Sequence, residues 1–147
     1  MGTQFMRRTY ATWSWVILAA VVVQFFLAGM GVFVTGADFA IHAIFGAVIM
    51  LATLLGAIFA LAARVPWRTT GLNALLFVLI LLQAVLIEVG RGTGVHVIAA
   101  FHVVNALVIF ALAGLLALRA NAYFATAATE KPTPSASTSA APHPALR

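Results

Sequence analysis

Three of the four histidines in this 147-residue chain, His42, His96 and His102, lie in or beside long apolar stretches, where an ionisable side chain is costly and usually functional. The fourth, His143, stands in a polar C-terminal segment. His42 and His102 fall early in the second and fourth apolar stretches, on helices that run in the same direction, so their imidazoles share one leaflet and can face each other across a bundle core. Two imidazoles facing each other from separate helices suit axial ligation of a haem iron, and the expected cofactor is haem b. Gly46 and Ala106 each follow a histidine by four, on the same helix face, and leave the space a porphyrin needs. Asn105 is placed for a hydrogen bond in the core, Arg91 for pairing with propionates. His96, six residues before His102, is turned about 240° away from it and reads as a propionate or water contact.

Other chemistries lack their parts. The chain has no cysteine, which excludes thiolate metal sites, iron–sulfur clusters, disulfide scaffolds and cysteine nucleophiles. Zinc takes three or four ligands, and Asp38, the nearest acid to His42, does not complete such a set. No Ser–His–acid constellation offers a hydrolytic nucleophile.

The histidines also belong to an internal repeat. Gln24, Leu27, Gly31, the pair Thr35–Gly36 and His42 are echoed by Gln83, Leu86, Gly90, the pair Thr93–Gly94 and His102. Leu stands three and Gly seven after Gln in both copies, and the histidine stands eighteen and nineteen after it. A pseudo-two-fold axis along the membrane normal would then relate His42 to His102. Gln24, Gln83, Thr35 and Thr93 are candidates for the acceptor that orients a ligating imidazole.

The elements that position these residues follow from hydropathy. The chain is 64% hydrophobic and 7% charged, against about 25% charged in soluble domains. A water-soluble monomer is excluded. Four stretches, about 13–34, 39–62, 71–90 and 95–118, are apolar nearly all round and reach the roughly 20 residues that cross a bilayer. Short links at 36–38, 64–68 and 90–94 force neighbouring spans to be antiparallel. The expected fold is an all-α membrane protein, an up-down-up-down four-helix transmembrane bundle over 1–120. Residues 121–147, rich in Ala, Pro, Ser and Thr, read as a disordered cytoplasmic tail.

Seven of the eight basic residues, Arg7, Arg8, Arg64, Arg68, Arg119, Lys131 and Arg147, fall on one side of such a bundle, and only Arg91 falls on the other. The positive-inside rule places both termini in the cytoplasm, in a plasma membrane of bacterial type. Trp13, Trp15 and Trp67 sit on the same side as interfacial anchors do. The net charge of +5 is thereby a topology signal, with no nucleic-acid partner implied. The apolar run after Arg7–Arg8 is too long for a signal h-region and reads as a retained span.

On these residues the chain resembles one half of a haem A synthase over about residues 20–118. The resemblance is carried by Gln24 to Gly36, Ile41–His42 with Gly46, Leu82–Gln83 to Thr93–Gly94, and His102 to Leu107. It implies a haem-binding four-helix bundle with His42 and His102 as ligands. Departures are clear: the family's acid three before the helix-two histidine is Phe39 here, the arginine after that histidine is Ala43, the outer-loop cysteines are absent, and there is no second bundle. The family's oxidation of a haem methyl group therefore does not carry over. Uncharacterised four-helix membrane proteins are also similar.

The expected function is a bis-histidine haem protein of the lipid bilayer, serving electron transfer or haem carriage with a membrane redox partner. Two axial imidazoles leave no open iron position, which argues against catalysis. A cofactor-free accessory subunit is the alternative. A small transporter fits less well, since the first span carries no buried acid.

Overall fold

The structure is a computed structural model and describes residues 2–34, 36 and 39–129. Four helices account for nearly all of them: α1 (Gly2–Phe33), α2 (Phe39–Ala62), α3 (Trp67–Thr93) and α4 (His96–Thr129). Each is long and apolar enough to cross a membrane. Successive helices pack side by side and α4 closes the ring against α1, while α1 and α3, like α2 and α4, lie diagonally opposite. This is the expected up-down-up-down bundle of an integral membrane protein.

The molecule is apolar on its outside. Phe33, Leu61, Leu118 and Val97 are all well exposed, as suits a surface solvated by lipid. In lipid there is little hydrophobic force between helices, so close packing and interhelical hydrogen bonds must hold them. One packed core joins Ile17, Val21, Ile49, Leu76, Ile80, Ile109, Leu112 and Leu116. A second, at the arginine-rich end, is built from Tyr10 on Ala11, Ala60, Ala63 and Ala120. Buried polar groups tie helix to helix. Asn73 Nδ2 on α3 donates across to the Tyr10 hydroxyl on α1 at 3.0 Å and, within its own helix, to the Thr69 carbonyl at 2.8 Å. Asn105 Nδ2 donates to the Leu79 carbonyl at 2.8 Å and to Gln83 Oε1 at 2.9 Å.

The turns have local causes. Pro66 precedes α3 with φ −51° and ψ 143°, and cannot continue a helix. Gly94 ends α3 in the left-handed region at φ 71° and donates to the Arg91 carbonyl. At the end of α2, Val65 N–H reaches the Ala60 carbonyl and Arg64 N–H the Leu61 carbonyl. This is a Schellman motif, whose left-handed position is usually glycine. Here it is Arg64, at φ 53°.

Three expectations change. The first and third helices extend beyond the spans 13–34 and 71–90, because hydropathy marks what lipid covers while backbone hydrogen bonding continues past it. Residues 121–129, expected in the disordered tail, continue α4. Alanine is the strongest helix former and abounds there, and Asn121 and Tyr123 are tied back to the bundle. Asn121 Oδ1 accepts from Trp15 Nε1 at 3.1 Å, and the Tyr123 hydroxyl lies 3.5 Å from Thr69 Oγ1. The remainder of that tail, 130–147, lies outside the described residues, as do His143, Thr35 and Asp38. Finally, Trp13, expected as an interfacial anchor, serves as an interhelical tie: its Nε1 donates to the Ala52 carbonyl at 2.8 Å and its ring meets Phe59 edge-on.

Candidate functional site

His42 is the fourth residue of α2 and His102 the seventh of α4, so both lie in the first two turns of diagonally opposed helices at the end away from the arginine cluster. Both are half-buried. Their ring centroids are 6.1 Å apart, with the planes tilted by 56°.

Each imidazole is oriented the same way. His42 Nδ1 donates to the backbone carbonyl of Gln24 on α1 at 3.2 Å. His102 Nδ1 donates to the backbone carbonyl of Gln83 on α3 at 3.4 Å. A carbonyl can only accept, so both rings carry their proton on Nδ1 and leave Nε2 as the nitrogen with the free lone pair. Metal-ligating histidines are held by the same device.

The repeat is visible at a second point. A Cβ on Gly31 would fall 2.8 Å from the Phe39 ring, and a Cβ on Gly90 would fall 2.8 Å from the Ala99 backbone nitrogen. Phe39 and Ala99 each stand three residues before the site histidine. Glycine seven after the glutamine thus lets each hairpin close, and closure sets the histidine against the glutamine carbonyl. The two hairpins thus repeat the same pair of contacts.

The copies differ in their glutamine side chains. Gln83 Oε1 is engaged by Asn105, which is only 8% exposed. Gln24 turns its amide to the histidine: Nε2 donates to the His42 carbonyl at 2.8 Å and to His42 Nε2 at 3.3 Å. Gln24 Oε1 is buried without a partner. Gly46 makes room for this carboxamide, since a Cβ there would stand 3.0 Å from Gln24 Nε2. Its missing side chain is filled by Gln24, where the sequence reading assigned that space to a porphyrin.

The remaining expected site residues fall outside this cluster. Arg91 is exposed and paired with Glu88 at 3.7 Å, both side chains about three-quarters exposed. His96 is exposed at the first turn of α4. Ala106 is half-buried on α4. Thr93 does not orient an imidazole: its Oγ1 donates to the Val89 carbonyl at 2.7 Å and accepts from Val95 N–H, closing the turn before α4. Among the described residues no group of three or more His, Cys, Asp or Glu could hold a bare metal ion.

Residues 24–91 match a family of unknown function, DUF6220. The matching segment opens on Gln24 and contains His42, Gly46 and Gln83, and it stops short of His102. No curated protein and no solved structure matches the chain.

Proposed function

We propose that the chain is a membrane haem protein in which His42 and His102 hold a b-type haem, for electron transfer or haem carriage. The observation that carries this reading is the histidine pair. Their ring centroids stand 6.1 Å apart, close enough that His42 and His102 would together hold one metal between them. Among the described residues no third His, Asp or Glu joins the pair, so the site would suit a metal that brings its own further ligands, as in a porphyrin.

The protein's own part in this function is orientation. The Gln24 and Gln83 carbonyls fix both tautomers before anything binds, and hydrogen bonding at Nδ1 raises the basicity of Nε2. The lone pair of His102 Nε2 meets no donor among the described residues. That of His42 is covered by the Gln24 amide, which must swing aside. Its unpartnered Oε1 makes that movement less costly than breaking a fully satisfied network. Held by His42 and His102, such a group would supply a one-electron couple. A redox partner in or at the membrane is then required.

The orientation belongs to the same proposal. Arg7, Arg8, Arg64, Arg68 and Arg119 gather at the end bearing the N-terminus, and Arg91 lies at the other. The positive-inside rule puts the termini in the cytoplasm and the histidine pair in the outer leaflet of a plasma membrane of bacterial type.

The Gln24–His42 bond favours a second reading, in which the pair is an interhelical link in a cofactor-free accessory subunit. Absorbance spectra of the chain purified from haem-replete cells, oxidised and dithionite-reduced, decide between the two. A Soret band with sharpened α and β bands on reduction is expected. A featureless spectrum, unchanged by added hemin, leaves the accessory subunit.

A further inference from the structure

The opposite end of the bundle holds a cavity of about 250 Å³, lined by Arg7, Tyr10, Arg64, Val65, Pro66 and Tyr123. We propose that this cavity is a binding site for a phosphate group, presented either by an anionic lipid headgroup or as free phosphate. The inference is independent of the haem reading, because the site lies at the other end of the molecule and shares no residue with the histidine pair.

Three observations carry it. The first is convergence of charge. Arg7 comes from α1 and Arg64 from the turn between α2 and α3, and both line one concavity. Among the described residues neither guanidinium has a carboxylate within ion-pairing distance, since Glu88 is the one acid described and it pairs with Arg91 at the far end. Guanidinium forks match phosphate oxygens with paired, charge-assisted hydrogen bonds.

The second is the backbone of Arg64. Its left-handed conformation costs a residue with a Cβ about 1–2 kcal/mol relative to glycine. The Schellman motif at this helix end would close equally well on glycine. The strained position instead carries a guanidinium on the rim of the cavity. Strain of this kind is commonly held at ligand sites.

The third is the wall. Tyr10 is only 2% exposed and is fixed by Asn73, and Tyr123 stands against Thr69, so a rigid aromatic lining backs the cavity, with Arg7 half-buried against it and Arg64 exposed at its mouth. Charge-assisted bonds are stronger where water is partly excluded. Basic pockets between transmembrane helices at the arginine-rich face commonly take lipid phosphates.

The test uses the full chain in neutral detergent and in nanodiscs of phosphatidylcholine with or without phosphatidylglycerol. Native mass spectrometry reads lipid retention, and thermal melting reads stabilisation by phosphatidylglycerol or by inorganic phosphate. Phosphatidylglycerol should be retained over phosphatidylcholine. Arg7→Gln and Arg64→Gln should each weaken that preference about tenfold. Arg68→Gln removes the same charge from an exposed neighbour outside the cavity and should change it by less than about twofold. Arg64→Gly should lose binding while melting at or above the wild type, which separates loss of the site from loss of the fold. Displacement of bound lipid by millimolar inorganic phosphate would assign the site to the phosphate alone; retention against it would assign the site to the lipid. Equal losses from Arg64→Gln and Arg68→Gln would overturn the proposal, as would the absence of any preference for phosphatidylglycerol together with no response to phosphate.

Discussion

Gly90 lies so close to Ala99 that a Cβ on it would meet the Ala99 backbone nitrogen at 2.8 Å. This contact draws the start of α4 against the end of α3, and three residues further along α4 His102 reaches the Gln83 carbonyl. Gly31 and Phe39 do the same for α1 and α2, but through a side-chain ring. Both hairpins thus set their histidines by close approach at a glycine, and the second, backbone against backbone, is the less forgiving.

Gly90→Ala should therefore lower stability by about 1–3 kcal/mol, because the backbone it meets cannot rotate away. Gly92→Ala, two residues on in the same helix with nothing within 4 Å of its Cβ, should be neutral or stabilising. Melting of the two variants in detergent checks the contrast. Gly31→Ala should fall between them, since the Phe39 ring is partly exposed and can swing.

Gly46 and Gln24 should be energetically coupled. Gly46→Leu puts a branched side chain where the Gln24 carboxamide lies, and should destabilise by about 1–3 kcal/mol. Gln24→Ala vacates that space while keeping the backbone carbonyl that holds His42. The double variant should then recover part of the loss, with a coupling energy of about 0.5–3 kcal/mol in a double-mutant cycle. Strict additivity would show that the carboxamide does not rest on Gly46.

The sequence carries much of this arrangement and omits the rest for physical reasons. Period, span length and link length are enough for four antiparallel spans, and the offsets from Gln24 and Gln83 are enough for the pairing of His42 with His102. The same glutamines are also legible as orienting residues. Which atom does the orienting is not: every residue has a carbonyl, so a backbone acceptor leaves no mark on residue type, whereas Thr93 looked suitable and serves its own turn. Helix ends beyond the lipid are hidden for a similar reason, since Tyr10 and Tyr123 do not extend an apolar run yet pack against the bundle. The arginine-lined cavity depends on Arg7 and Arg64, far apart in the chain and brought together only by the fold.

Truncation separates the two parts of the C-terminal region. A chain ending at Thr129 keeps every described contact and should insert and melt as the full chain does. A chain ending at Asn121 loses Tyr123 from Thr69 and from the cavity wall, and should melt several degrees lower. Equal melting of the two would show that the last turns of α4 contribute nothing.

The histidines allow the sharpest comparison, because three of them lie near one end of the bundle and only two face each other. Under the haem proposal, His42→Ala and His102→Ala should each lose most of the haem or leave a five-coordinate, high-spin iron. His96→Ala should keep the six-coordinate, low-spin spectrum of the wild type. The distinction rests on position. His42 and His102 are 6.1 Å apart, each with Nδ1 held by a glutamine carbonyl of the preceding helix. His96 is exposed at the first turn of α4, about 240° around the helix from His102. Loss of haem from His96→Ala with retention in His102→Ala would place the ligand on the wrong face for this bundle and would sink the assignment. Replacing His102 by Met keeps a side chain able to ligate iron, so a shifted reduction potential with haem retained would distinguish a lost ligand from a lost interhelical bond.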